Sequence, residues 1–151
     1  MKYLSSALLA MFLTFSMSGC VTAPTHDTAS GRPEVTIPGK SAKAVLGTIS
    51  NDLANQGYSI RSRTEMNAVF EKPLQGSLKF MLSGPTLADP VYRVTLDLLE
   101  TDTQTRVLGK LNIVENPSGQ GKSSERISTS YDAEEHKKLQ TQLNALRDKM
   151  K

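Results

Sequence analysis

Apolar positions along the chain fall into three patterns: one continuous N-terminal run, helical spacing in two stretches, and alternation in several short ones. Residues Ser41 to Gly57 carry Ala42, Val45, Leu46, Ile49 and Leu53 at intervals of three and four. That spacing predicts an amphipathic helix, with Ser41 placed to cap its start and Gly57 to end it. A second helix is expected from Ala133 to Met150, where Leu139, Leu143, Leu146 and Met150 form a stripe and Asp132 with Glu135 supplies a capping-box start. Glu34–Ile37 reads as a short strand stopped by Pro38 and Gly39. Tyr58–Arg63 alternates with Tyr58 and Ile60 on one face, Thr64–Asn67 turns, and Ala68–Lys72 presents Phe70 before Pro73 closes it. Within residues 73–90, Leu74, Leu78, Met81 and Leu82 fit a short helix flanked by Gly76 and Gly84.

Two longer strands follow. Val91–Leu98 sets Tyr92, Val94, Leu96 and Leu98 against Val91, Arg93, Thr95 and Asp97. Thr105–Val114 sets Val107, Leu111 and Ile113 against Arg106, Lys110 and Asn112, and the polar segment Leu99–Gln104 joins the two as a hairpin. One oily and one wet face per strand is the signature of an antiparallel sheet covered on a single side. Glu115–Ser124 reads as a loop. The expected architecture is α+β: an antiparallel sheet of about four or five strands with the amphipathic helix and the C-terminal helix packed on one face.

The continuous run belongs to a different kind of segment. Lys2 supplies a positive start, and the apolar stretch Leu4–Met17 is shorter than the roughly 20 residues that span a bilayer, so it suits the core of a signal peptide. It ends in Met17-Ser18-Gly19-Cys20, and Cys20 is the only cysteine of the chain. This ending resembles the lipobox of bacterial lipoproteins, with Met17 in place of the usual Leu. The resemblance implies a signal peptide over residues 1–19 and an acylated, membrane-anchoring Cys20 carrying a diacylglycerol and an N-acyl chain, with no other cofactor. Residues 20–33 are then the acylated Cys and a polar, Pro- and Gly-containing flexible tether, and residues 34–151 form a single periplasmic domain. Val21, where an Asp would retain a lipoprotein in the inner membrane, implies the periplasmic face of the cell outer membrane. In an organism with one membrane it implies the outer face of the plasma membrane. The stretch from Val35 to Pro73 is also similar to the front of helix-grip domains and small envelope lipoproteins, which implies a long terminal helix lying across a curved sheet.

Composition narrows the chemistry. Eighteen Lys and Arg against 15 Asp and Glu leave a net charge of +3 with no dense basic run, so no nucleic-acid partner is expected. A single Cys excludes an intramolecular disulfide and a thiolate metal cluster. Gly121-Lys122-Ser123 imitates the end of a phosphate-binding loop, yet Asn116 stands where the motif needs Gly. His136 has Asp132 and Gln140 four residues away rather than a second His, and Glu134, Glu135, Lys137 and Lys138 around it predict a solvated helix face and no metal site. His26 and Asp27 fall in the tether, where a mobile pair holds neither metal nor base in fixed geometry. No Ser lies in a Gly-x-Ser-x-Gly elbow, and Asp97, Glu100 and Asp102 sit around a hairpin turn, so no enzyme is expected.

Recognition remains. The expected function is a non-catalytic accessory or binding module of a cell-envelope complex, with another envelope protein as partner. The alternative is a small-ligand or lipid carrier with a pocket between the C-terminal helix and the sheet. Only five aromatic residues follow Cys20 (Tyr58, Phe70, Phe80, Tyr92 and Tyr131), which argues for a small pocket at best. The stripe Leu139, Leu143, Leu146 and Met150 is expected to pack on the domain's own sheet, and it is also the candidate partner-binding surface, as is the strand edge at Glu34–Ile37.

Overall fold

A computed structural model describes residues 26–75, 90–115, 117, 124–127 and 133–151, without the side chains of 124–127 and 133. The signal-peptide run, Cys20, residues 21–25, most of the expected short helix, Gly121-Lys122-Ser123 and Asp132 lie outside the described residues.

Strand β1 (Glu34–Pro38) leads into helix α1 (Ala42–Asn55), followed by β2 (Ser59–Arg63), β3 (Asn67–Pro73), β4 (Val91–Glu100), β5 (Gln104–Glu115), β6 (Ser124–Ile127) and helix α2 (Ala133–Lys149). The strands form one antiparallel sheet in the order β1-β5-β4-β3-β2. Strand β6 pairs with the far end of β5, over Asn112–Glu115, while β1 pairs with its near end over Gln104–Leu108. The fold is α+β, as the sequence predicts. The extra strand β6 is an addition to that expectation.

Both ends of α1 follow local chemistry. The Ser41 side chain accepts from the Ala44 N–H, and the Glu100 carboxylate accepts from the Ala42 N–H at 2.8 Å. An anion at this end meets exposed backbone donors and the positive end of the helix dipole. At the other end Gly57 has φ +86°, which costs Gly least. The Tyr58 N–H reaches Leu53 O and the Gly57 N–H reaches Ala54 O, the paired closure of a Schellman motif.

The two helices cover the same sheet face. Val35 and Ile37 of β1, Ala68 and Phe70 of β3, Val94, Leu96 and Leu98 of β4, and Val107 and Leu111 of β5 meet Val45, Leu46, Ile49 and Leu53 of α1 and Leu139, Leu143 and Leu146 of α2 in one core. Cross-strand partners share this face, as in the pairs Phe70–Val94, Val94–Leu111 and Leu96–Gly109. The opposite face carries Glu71, Arg93, Thr95, Lys110, Arg106 and Glu34. It is not wholly wet, since Val91 and Val114 face each other there and are buried.

Candidate functional site

The stripe on α2 is the first candidate, and the structure turns it inward. Leu139, Leu143 and Leu146 are 3%, 0% and 2% exposed, and Met150 packs half-buried against the same core. The expected contact with the domain's own sheet is thus what the described chain makes with this stripe. A Cβ on Gly109 would stand 3.1 Å from Leu139 Cδ2, so helix and sheet meet there with no intervening side chain. The space in which a carrier would hold its ligand is filled at these positions by the leucines.

His136 departs from expectation. It is 6% exposed, not solvated. The reason lies in spacing: His136 precedes Leu139 by three residues and Leu143 by seven, so it extends the buried stripe by one turn. The flanking charges Glu134, Glu135, Lys137 and Lys138 hide that periodicity, and the interval to Leu139 was the signal available.

The segment expected to be a loose tether is also fastened down from residue 26 onward. The His26 N–H donates to Gly31 O, the Gly31 N–H to Thr28 O, and Thr28 Oγ1 to Arg32 O. The Ser30 N–H donates to the Glu34 carboxylate, and the Gly109 N–H donates to Pro33 O at 2.7 Å. Gln140 of α2 clamps the start of β1: its Oε1 accepts from the Glu34 N–H at 2.8 Å and its Nε2 donates to Glu34 O at 2.9 Å. This fold-back carries the His26 ring to 5.7 Å from that of His136, centroid to centroid, with planes tilted by 35°. Burial pushes the His26 pKa below its ordinary value. Sequence reasoning placed the two histidines on unrelated mobile and exposed elements, and the structure brings them together.

Several carboxylates are engaged structurally. Arg106 donates to Glu34 at 2.7 Å, and this bond is the main reason the Glu34 carboxyl lies low, at about 2. Glu71 receives Arg93 at 2.6 Å and Arg61 at 3.1 Å on the face away from the helices. Of the acids near the β4–β5 turn, Asp97 accepts from Asn67 and Glu100 caps α1. Tyr58 is pushed up to about 12 by burial first and the nearby Glu135 charge second. Among the described residues no three His, Cys, Asp or Glu side chains are grouped to hold a metal, and no helix is long and apolar enough to cross a membrane.

Among the described residues, surface grooves open on the helix side. One, of about 290 Å³, lies between the helices and is lined by Ile49, Asp52, Leu53, Gln56, Gln142 and Leu146 among others, with Lys149 bridged to Asp52 at 2.9 Å beside it. Another, of about 410 Å³, lies between α1 and the edge of the sheet, against Lys43, Leu46, Arg63, Thr64 and Glu65. Beside it β2 is exposed along its whole length, and Ile60 is 50% exposed. The arrangement offers surfaces for recognition: an open sheet edge, a groove with mixed charge, and a polar sheet face.

No protein-family model matches the chain, and no curated protein matches it at a significant level.

Proposed function

We propose that this chain is an envelope lipoprotein, anchored through an acylated Cys20 at the periplasmic face of the outer membrane, whose α+β domain is a non-catalytic binding module for another envelope protein. The observation that carries the reading is the lone cysteine at the end of a signal-like run, Met17-Ser18-Gly19-Cys20. Each buried CH₂ of an acyl chain contributes about 0.8 kcal/mol, so two or three chains hold a protein on a bilayer stably. Val21 supports outer-membrane sorting. The carboxylates that engage Arg106, Arg93 and the α1 N-terminus, together with the exposed strand β2, support recognition over catalysis. The carrier alternative needs room between α2 and the sheet, where Leu139, Leu143 and Leu146 are packed.

The test is metabolic labelling with radioactive palmitate. The wild-type protein is expected to take up label and to fractionate with membranes. Cys20→Ser is expected to lose the label and either appear in the soluble periplasmic fraction or remain uncleaved. Label persisting in Cys20→Ser, or absent from the wild type, overturns the anchor.

A further inference from the structure

We infer that the edge of β2 left unpaired among the described residues, with the groove between it and α1, takes up an extended acidic peptide segment of a partner protein as an added strand. The proposal rests on the protein-binding reading above and specifies its surface. Strand β2 ends the sheet order, pairs with β3 on one side, and is exposed at all five residues. In an antiparallel edge strand, alternate residues aim their N–H and C=O groups away from the sheet, where a further strand can pair with them.

The side chains beside that edge define what fits. Ile60 lies opposite Phe70 and Arg63 opposite Ala68, and both partners are fully buried on the helix side of the sheet. A bulge between Ile60 and Ser62 places Arg61 as the extra residue, so Ile60 and Arg63 are consecutive positions on that one face. Lys43 and Leu46 of α1 form the opposite wall of the groove, and Glu65 lies in the turn just beyond Arg63. Neither Lys43 nor Arg63 enters an ion pair among the described residues. An incoming strand therefore meets an exposed apolar side chain at one position and, two positions on, Arg63 and Lys43, whose two positive charges outnumber the single Glu65 carboxylate lining the same groove. The complementary pattern is an apolar and an acidic residue separated by one. A second copy of this chain fits poorly, because its β2 carries no acid and so brings no carboxylate to Arg63 and Lys43.

The experiment uses the full-length protein in detergent and a fluorescein-labelled peptide, Thr-Val-Thr-Glu-Thr-Val-Thr-Glu, with the same peptide bearing Lys for Glu as its control. Anisotropy is expected to show saturable binding of the Glu peptide and binding at least about tenfold weaker for the Lys peptide. Arg63→Glu and Lys43→Glu are each expected to weaken the Glu peptide by about tenfold, with Lys137→Glu on the exposed side of α2 unchanged. Hydrogen exchange is expected to slow at residues 59–64 when the peptide is bound. Absence of binding, equal binding of both peptides, or no slowing at 59–64 overturns the edge site. Protection appearing elsewhere overturns the edge site and leaves the protein-binding reading standing, while the anchor is decided separately by labelling at Cys20.

Discussion

At Gly109 a Cβ would stand 3.1 Å from Leu139 Cδ2 and 3.3 Å from both the Pro33 carbonyl oxygen and Pro33 Cβ. The leucine methyl can move, but the backbone oxygen is fixed by accepting the Gly109 N–H. Gly109→Ala is therefore expected to cost about 1–3 kcal/mol, the usual penalty for overpacking, read as a lower urea midpoint. An unchanged midpoint would show that α2 rides on the sheet more loosely than the contact implies. The histidine pair makes a second residue-scale prediction. His136 is 6% exposed, so His136→Ala is expected to cost about 1–3 kcal/mol rather than the few tenths of a surface site. For His26, burial favours the neutral ring in the fold, while the unfolded chain takes up a proton near 6.5. Below that pH the unfolded state binds more protons, so the contribution of neutral His26 is complete above about 6.5 and is lost as pH falls through the lowered native value. Hydrogen-exchange protection at residues 26–34, taken relative to the intrinsic exchange rate at each pH, should fall on acidification, and His26→Gln should flatten that dependence. An equal fall in both proteins would place the sensitivity elsewhere.

Helix α1 joins local and tertiary signals at the scale of an element. Its cap at Ser41, its stop at Gly57 and its buried face at Val45, Leu46, Ile49 and Leu53 agree with one another. Ile49→Ala should cost about 2–5 kcal/mol, as should Leu96→Ala on the facing strand, both seen in urea melts. A loss at Ile49 no larger than that from an exposed α1 substitution such as Asn51→Ala would mean the buried face is misassigned. Such elements were legible because periodicity and end chemistry point the same way, and β4 with β5 was legible from clean alternation. Strand β6 was not. Its sequence, Ser-Glu-Arg-Ile, has one apolar residue, and it is a strand only because β5 extends to Glu115 and offers an edge beyond β1. The fastened segment 26–33 was hidden for a related reason. Its polar composition reads as linker, while beyond its local turns it is tied at Pro33 to Gly109, and the adjoining Glu34 to Gln140, each more than 70 residues away. The pairing of His26 with His136 depends on that same long-range closure. Of the candidate surfaces, the α2 stripe was visible in sequence, whereas the groove beside β2 needs the register of Ile60 and Arg63 against β3.

For the whole molecule the consequence is that one sheet face depends on two helices drawn from opposite ends of the domain. Helix α1 lies against β2 and β4, and α2 lies over β1 and β5 while its Gln140 secures the first strand. Removing residues 133–151 would uncover Val35, Val107 and Leu111 together and release the clamp on Glu34. A domain of this size has a stability of roughly 5–15 kcal/mol. Losing the burial of three leucines at about 1.5–3 kcal/mol each, and exposing the strands beneath them, would consume most of that margin. The truncated protein is therefore expected to lose its cooperative urea transition and to bind a hydrophobic dye, whereas the single change Lys137→Glu leaves both properties intact. A truncated protein that melts cooperatively, stays monomeric and fails only to recover an envelope partner would reverse this assignment. It would mean that the sheet is stable without α2 and that Leu139, Leu143, Leu146 and Met150 are presented to the partner after all.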